Sequence, residues 1–164
     1  MIIVSDTTPF RYLIEIEAVE ILEKLFGQVI IPEKVFTELQ SESTPEKVKK
    51  WIQSAPAWVE VRKADISLFT PATEIQDGER EAIALAIELK ADALLIDDKN
   101  GRKEAKRAGL FIIPTLAALE IASKKDLIDL PEKIERLSKT TFHATRKLLD
   151  QILERERKRR ESKL

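Results

Sequence analysis

Four short, unbroken apolar runs constrain the fold of this chain more than any other feature: Ile2-Ile3-Val4, Val29-Ile30-Ile31, Ala93-Leu94-Leu95-Ile96 and Leu110-Phe111-Ile112-Ile113. Each is too short for a helix. None alternates with polar residues, so each predicts a strand covered on both faces, as in a parallel sheet. Trp58-Val59-Glu60-Val61 adds a fifth. Between the runs lie helical signals. Pro9 opens one long helix that carries Phe10, Leu13, Ile14, Ile16, Val19, Ile21, Leu22 and Leu25 to a stop at Gly27. Further helices are expected over 33–39, 46–54, 79–89, 101–108 and 115–123. Strands alternating with helices predict an α/β fold with a parallel sheet and helices on both of its faces.

Two more helices are expected at 131–137 and 141–160. The apolar stripe of the last one, Phe142, Thr145, Leu148, Leu149 and Ile152, gives out after Leu153. The terminal segment 155–163 is therefore expected to fray with its charges in solvent. On this reading the chain is a domain over residues 1–130 with a basic helical extension over 131–164. Residues 1–131 hold 17 Lys/Arg against 23 Asp/Glu, whereas 132–164 hold 11 against 6. An acidic body with a basic tail suits a metal site with a phosphate-binding arm, and it also suits a merely solvated helix.

The chain has no Cys, which excludes disulfides, zinc ribbons and a thiol nucleophile and suits a reducing cytoplasm. Its one histidine, His143, excludes a His-rich metal site. Four glycines without GxGxxG or GxxxxGK[ST] argue against a phosphate loop. No apolar run approaches the ~18 residues of a membrane span, so no membrane role is expected. Carboxylates, Lys/Arg and hydroxyls remain to do chemistry.

In a doubly wound sheet, ligands bind outside the carboxyl ends of the strands. Asp6 follows the first strand and Asp97-Asp98 the fourth; Glu38 and Glu79 lie in helices with apolar faces. Taken singly, each has an ordinary alternative as a helix cap, a dipole partner or a surface residue. The adjacent Asp97-Asp98 pair is the exception: two like charges at one strand end favour an intervening cation.

Ile2-Ile-Val-Ser-Asp6-Thr-Thr-Pro9, Val35-Phe-Thr-Glu38-Leu39, Gly78-Glu79-Arg-Glu81-Ala-Ile-Ala-Leu-Ala86 and Leu94-Leu-Ile-Asp97-Asp98-Lys-Asn-Gly-Arg102 resemble, in order and spacing, the motifs of PIN-domain proteins, most of all the prokaryotic branch related to VapC toxins (the DUF3368 type). The resemblance covers about residues 1–130. It implies a three-layer α/β/α sheet protein in which four acids hold Mg²⁺ or Mn²⁺ for RNA cleavage, with Asp6, Glu38, Glu79 and Asp98 as the catalytic acids. Many relatives have Asp in place of Glu79, and Glu81 stands two residues on. Positions two apart on a helix point ~200° apart, so one of the two faces the site; Glu79 keeps the family's distance from Leu85-Ala86. Ile96 replaces the family's Thr, and either Asp97 or Asp98 is the ligand; at a strand end both can reach a metal, so Asp6, Glu38, Glu79, Asp97 and Asp98 are the expected metal residues.

An all-oxygen donor set is what Mg²⁺ or Mn²⁺ selects. Lys99, Arg102, Lys103, Lys106 and Arg107 follow the last acids and form a basic face suited to a nucleic-acid backbone; charge balance against the acidic body is the plain alternative. The resulting expectation is a metal-dependent ribonuclease, a homodimer, with an antitoxin protein as partner if it is the toxin of a toxin–antitoxin pair. Two readings compete with it: a non-catalytic PIN-like scaffold that binds RNA or a partner, and a HAD-like or receiver-like phosphoryl-transfer domain.

Overall fold

The computed structural model describes all 164 residues. Five strands, β1 (Ile3–Ser5), β2 (Val29–Pro32), β3 (Val59–Arg62), β4 (Ala93–Leu95) and β5 (Ile112–Ile113), form one sheet in the order β3-β2-β1-β4-β5. Every pairing is parallel. The two-residue period of the strands sorts the apolar runs between two cores. Ile3, Val29, Ile31, Leu95 and Ile113 point into a cluster of 27 buried residues, and Val4, Ile30, Leu94 and Ile96 into one of 11 on the other face. The three-layer α/β/α architecture follows.

The smaller core is covered by α5 (Asp77–Glu88) and α6 (Lys99–Arg107), through Ala82, Ile83, Leu85, Ala86 and Ala105. The larger takes α1 (Thr7–Glu15), α2 (Ile21–Phe26), α3 (Glu33–Glu38), α4 (Glu46–Gln53) and α7 (Thr115–Lys124). Phe10, Trp51 and Trp58 meet there with ring centroids 5.7–6.2 Å apart.

The single long helix expected after Pro9 is two. It breaks at Glu17, which takes a left-handed φ of 59°. The Ala18 amide then bonds to Leu13 O and the Glu17 amide to Ile14 O, a Schellman ending. Glu17 is a non-glycine residue in this conformation, and Lys47 and Arg136 both pair with its exposed carboxylate. They hold the Glu17 carboxyl at about 2, below its ordinary range. An unbroken apolar pattern does not reveal a reversal of φ at a single exposed residue.

The C-terminal helices α8 (Leu130–Ser138) and α9 (Arg146–Glu161) bury Leu130, Ile134, Leu137 and Ile152 in the larger core. The expected fraying of 155–163 is corrected. Glu156 is buried and accepts from Ser123 Oγ at 2.8 Å, Arg159 at 2.8 Å and Arg160 at 2.7 Å. Arg155 pairs with Glu120, Arg157 with Glu154, and Lys163 with Asp126. Of the six cations in the segment, Lys158 alone lacks a carboxylate partner. No helix is long and apolar enough to cross a membrane.

Candidate functional site

The chain winds from β1 to β3 on one side and then to β4 and β5 on the other, so the strand order reverses between β1 and β4. A crevice opens at the carboxyl ends of those two strands, the usual ligand position in such sheets. Asp6 follows β1 there, its amide bonded to Leu95 O of β4 at 2.9 Å. Asp6, Glu38, Glu79 and Asp98 line one cleft of about 410 Å³, with Thr7, Thr8 and Arg11.

Asp6 stands at the N-cap position of α1, yet its carboxylate makes no capping hydrogen bond. It is 3% exposed. Burial raises its pKa well above the ordinary value; the Thr7 amide opposes this, and the charges of Glu79, Glu38 and Asp97 add to it. Glu38 ends α3, where its Oε2 accepts from Thr7 Oγ1 and its carbonyl from Thr44 Oγ1 at 2.9 Å.

Glu79 occupies the first turn of α5. Its Oε1 accepts from the Gln76 amide at 2.9 Å, as in a capping box. Its Oε2 is buried with no hydrogen-bond partner. Burial raises its pKa, and the charges of Asp98 and Glu38 raise it further against the Gln76 bond. Two glycines make room for these glutamates. A Cβ on Gly78 would lie 2.6 Å from Glu38 Oε2, and one on Gly101 2.5 Å from Glu79 Oε2. Glu104 of α6 ties down the segment ahead of α5 by accepting from the Ala72 and Thr73 amides at 2.8 and 2.7 Å.

The two adjacent aspartates part company. Asp98 faces the cleft and caps α6, its Oδ2 accepting from the Asn100 and Gly101 amides at 3.1 and 3.2 Å. Asp97 turns to a neighbouring cavity, where the Thr115 amide (2.8 Å) and hydroxyl take one oxygen each. Burial nevertheless raises the Asp97 pKa, against those two bonds and the Arg102 charge. Glu81 is absent from the cleft lining; its Oε1 accepts from the Lys34 amide at 3.3 Å.

As they stand, no three acidic side chains converge tightly enough to grip an ion. The donor chemistry nevertheless fits a hard divalent cation: all ligands are oxygens, Asp6 is buried among like charges, and Glu79 Oε2 is an orphaned acceptor. Of the five basic residues, Lys99 and Arg102 line the cavity beside the cleft, and Lys103 and Lys106 are exposed. Arg107 is held by Glu104 at 2.8 Å and Thr70 O at 2.9 Å and lies over the Phe69 ring, which gives it a structural job.

From sequence, Thr7 and Thr115 read as helix caps or as donors to a metal-bound water or phosphate, and here they bond Glu38 and Asp97; the two glycines are the participants that sequence patterns do not single out. A Thr directly after an acid or after Pro114 reads as an ordinary cap. What marks these is the distant carboxylate each one grips.

The DUF3368 family model, described as a PIN domain, matches residues 2–158. No curated protein matches the chain. Among solved structures, a PilT N-terminus domain protein from the hyperthermophilic archaeon Sulfolobus solfataricus is similar, with a TM-score of 0.51 and 21% identity. The match covers 88% of this chain and all of that one, and at this identity it is a likeness of fold.

Proposed function

This chain belongs to the PIN-domain family, whose members are generally nucleases that use divalent metal ions, and from that premise we propose that it is a Mg²⁺- or Mn²⁺-dependent ribonuclease. The observation that carries the reading is the buried, unpartnered Glu79 Oε2 in the same cleft as the buried Asp6. Asp6, Glu38, Glu79 and Asp98 would hold the metal. When bound, it would activate a water for in-line attack on a phosphodiester and offset the charge that develops on the leaving oxygen. Thr7 fixes the rotamer of Glu38, Gln76 that of Glu79, and the first amides of α6 that of Asp98. Each of these three acids thus keeps an oxygen for a cation while the other is anchored. Asp97 serves as a support: its bonds to Thr115 fasten the end of β4 to the start of α7.

Arg11 lines the cleft, and Lys99 and Arg102 lie beside it, so a phosphate backbone would meet cations flanking the acids. Incubating the protein with mixed RNA, with and without EDTA, tests the reading. Cleavage that stops in EDTA and returns with Mn²⁺ supports it; cleavage that persists in EDTA removes it.

A PIN-like scaffold that binds RNA without turnover is favoured by one observation, the lack of three converging acids. It predicts RNA binding indifferent to metal. A HAD-like or receiver-like domain does not agree with membership of the PIN family. The toxin role and the homodimer rest on the resemblance to VapC proteins. A small DNA-binding protein encoded next to this chain and a dimer in light scattering at micromolar concentration are their respective tests.

A further inference from the structure

A second cavity, about 460 Å³, adjoins the acidic cleft and shares Thr8, Tyr12 and Asp98 with it. Its outer wall is the connection between α8 and α9. Residues 141–144, expected to begin the last helix, are not helical. The Tyr12 and Thr141 hydroxyls share a hydrogen bond of 2.7 Å, and Phe142 meets the Tyr12 ring edge-on at 5.1 Å. These contacts draw the connection across the carboxyl edge of the sheet.

The cavity has two chemistries. Leu116, Phe142 and Leu148 give it an apolar wall, and Leu148 is 39% exposed. Lys99, Arg102 and His143 give it donors. Arg102 Nε is buried without a hydrogen-bond partner. Asp97, which feels its charge, already has both oxygens engaged by Thr115.

We propose that this cavity seats the nucleotide next to the scissile phosphodiester of a single-stranded RNA. Its base packs on Phe142, Leu116 and Leu148, and its phosphate lies toward Lys99 and Arg102. The proposal rests on the ribonuclease reading. The volume is near the small end of ligand pockets and suits one nucleotide. A strand leaving the acids passes over the shared Thr8 and Tyr12 directly into it. An apolar platform beside cations is the common means of holding single strands. Asp97 and Asp98 on the same wall disfavour a free anion, so the occupant must gain from stacking as well as from charge.

The test is steady-state cleavage of a short single-stranded RNA, intact or with one abasic residue at each position in turn. At one position flanking the cut, the abasic residue should raise KM about tenfold with kcat little changed, as expected for one lost base stack. Phe142→Ala and Leu148→Glu should raise KM on the intact RNA by a similar factor and erase the difference between intact and abasic RNA. Leu148 is exposed, so its variant remains informative if Phe142→Ala loosens the connection. Crosslinking to 4-thiouridine RNA gives a readout free of turnover, with adducts expected on residues 141–148.

If the parent cleaves RNA while both variants keep its KM and abasic profile, or if adducts map elsewhere, the subsite is overturned and the ribonuclease reading stands. Adducts on 141–148 without cleavage would remove the ribonuclease reading and overturn the placement next to a scissile bond, leaving an RNA-binding cavity. A parent that neither cleaves nor crosslinks RNA overturns both.

Discussion

Gly101 and Glu79 are packed so closely that a Cβ on the glycine would stand 2.5 Å from Glu79 Oε2, the one acidic oxygen in the cleft that is buried and unpartnered. The same Cβ would stand 2.8 Å from Ile96 Cδ1 in the core. Backbone conformation does not demand glycine here; the space demands it.

Gly101→Ala therefore forces Glu79 or Ile96 to move. Overpacking of this kind costs about 1–3 kcal/mol, and the displaced carboxylate should weaken Mn²⁺ binding. Chemical denaturation and Mn²⁺ titration of the folded variant check the two effects separately. Parental values for both would mean that the cleft relaxes without consequence.

Asp6→Asn should abolish nearly all RNA cleavage, by about a hundredfold or more if it behaves like other groups that act directly at reacting charge. In EDTA the variant should melt at or above the parental temperature, because one of several mutually repelling buried charges is gone. A variant that cleaves as well as the parent would make Asp6 a structural residue. Glu81→Gln should be milder than Glu79→Gln, since Glu81 meets Lys34 outside the cleft.

Thr7→Val removes the hydroxyl that fixes Glu38. Loss of a group that orients a ligand costs about 10–100-fold in metal affinity or activity. Thr115→Val leaves Asp97 with the amide alone and should act on stability, by about 1–3 kcal/mol. Melting curves and metal titration on both variants distinguish an orienting residue from a supporting one.

Stability in EDTA should fall as pH rises above the ordinary carboxylate range of about 4. Asp6, Glu79 and Asp97 all have raised pKa values. Between the unfolded and folded values the folded state binds more protons, so their contribution is complete at low pH and is lost as they ionise. Mn²⁺ should reverse the loss near neutrality. Glu17, Glu104 and Glu156, held at about 2, act the opposite way and weaken the fold only as pH falls toward that value. Thermal melts from pH 5 to 8 with and without Mn²⁺ decide it; an EDTA profile that rises across that range would contradict it.

Glu156→Ala should destabilise the protein by about 3 kcal/mol, the range for breaking a buried ion pair. It strands Arg159 beside Ser123. The salt dependence of RNA binding should barely change on Lys158→Ala, since one contact on a single strand alters the slope by only about 0.7. Urea unfolding and binding at several salt concentrations measure the two.

The sequence by itself determined the sheet and which acids stand as candidates at its carboxyl edge. Unbroken runs such as Ala93–Ile96 have one stable use, a strand buried on both faces, and two-residue alternation then allots Leu94 and Leu95 to opposite cores. Asp6 and the Asp97-Asp98 pair were legible as candidates because strand ends in such a sheet are where ligands bind. What only the tertiary structure decided depends on partners remote in sequence. The break at Glu17 sets its carboxylate against Lys47 and Arg136, 30 and 119 residues on. The division between Asp97 and Asp98 needs Thr115, 18 residues beyond Asp97. The order of the tail needs Ser123 and Glu120 on α7. Local pattern records which face a residue must bury, because that is fixed by backbone period. It does not record which distant side chain answers a charge, because that pairing exists only once the chain has closed on itself.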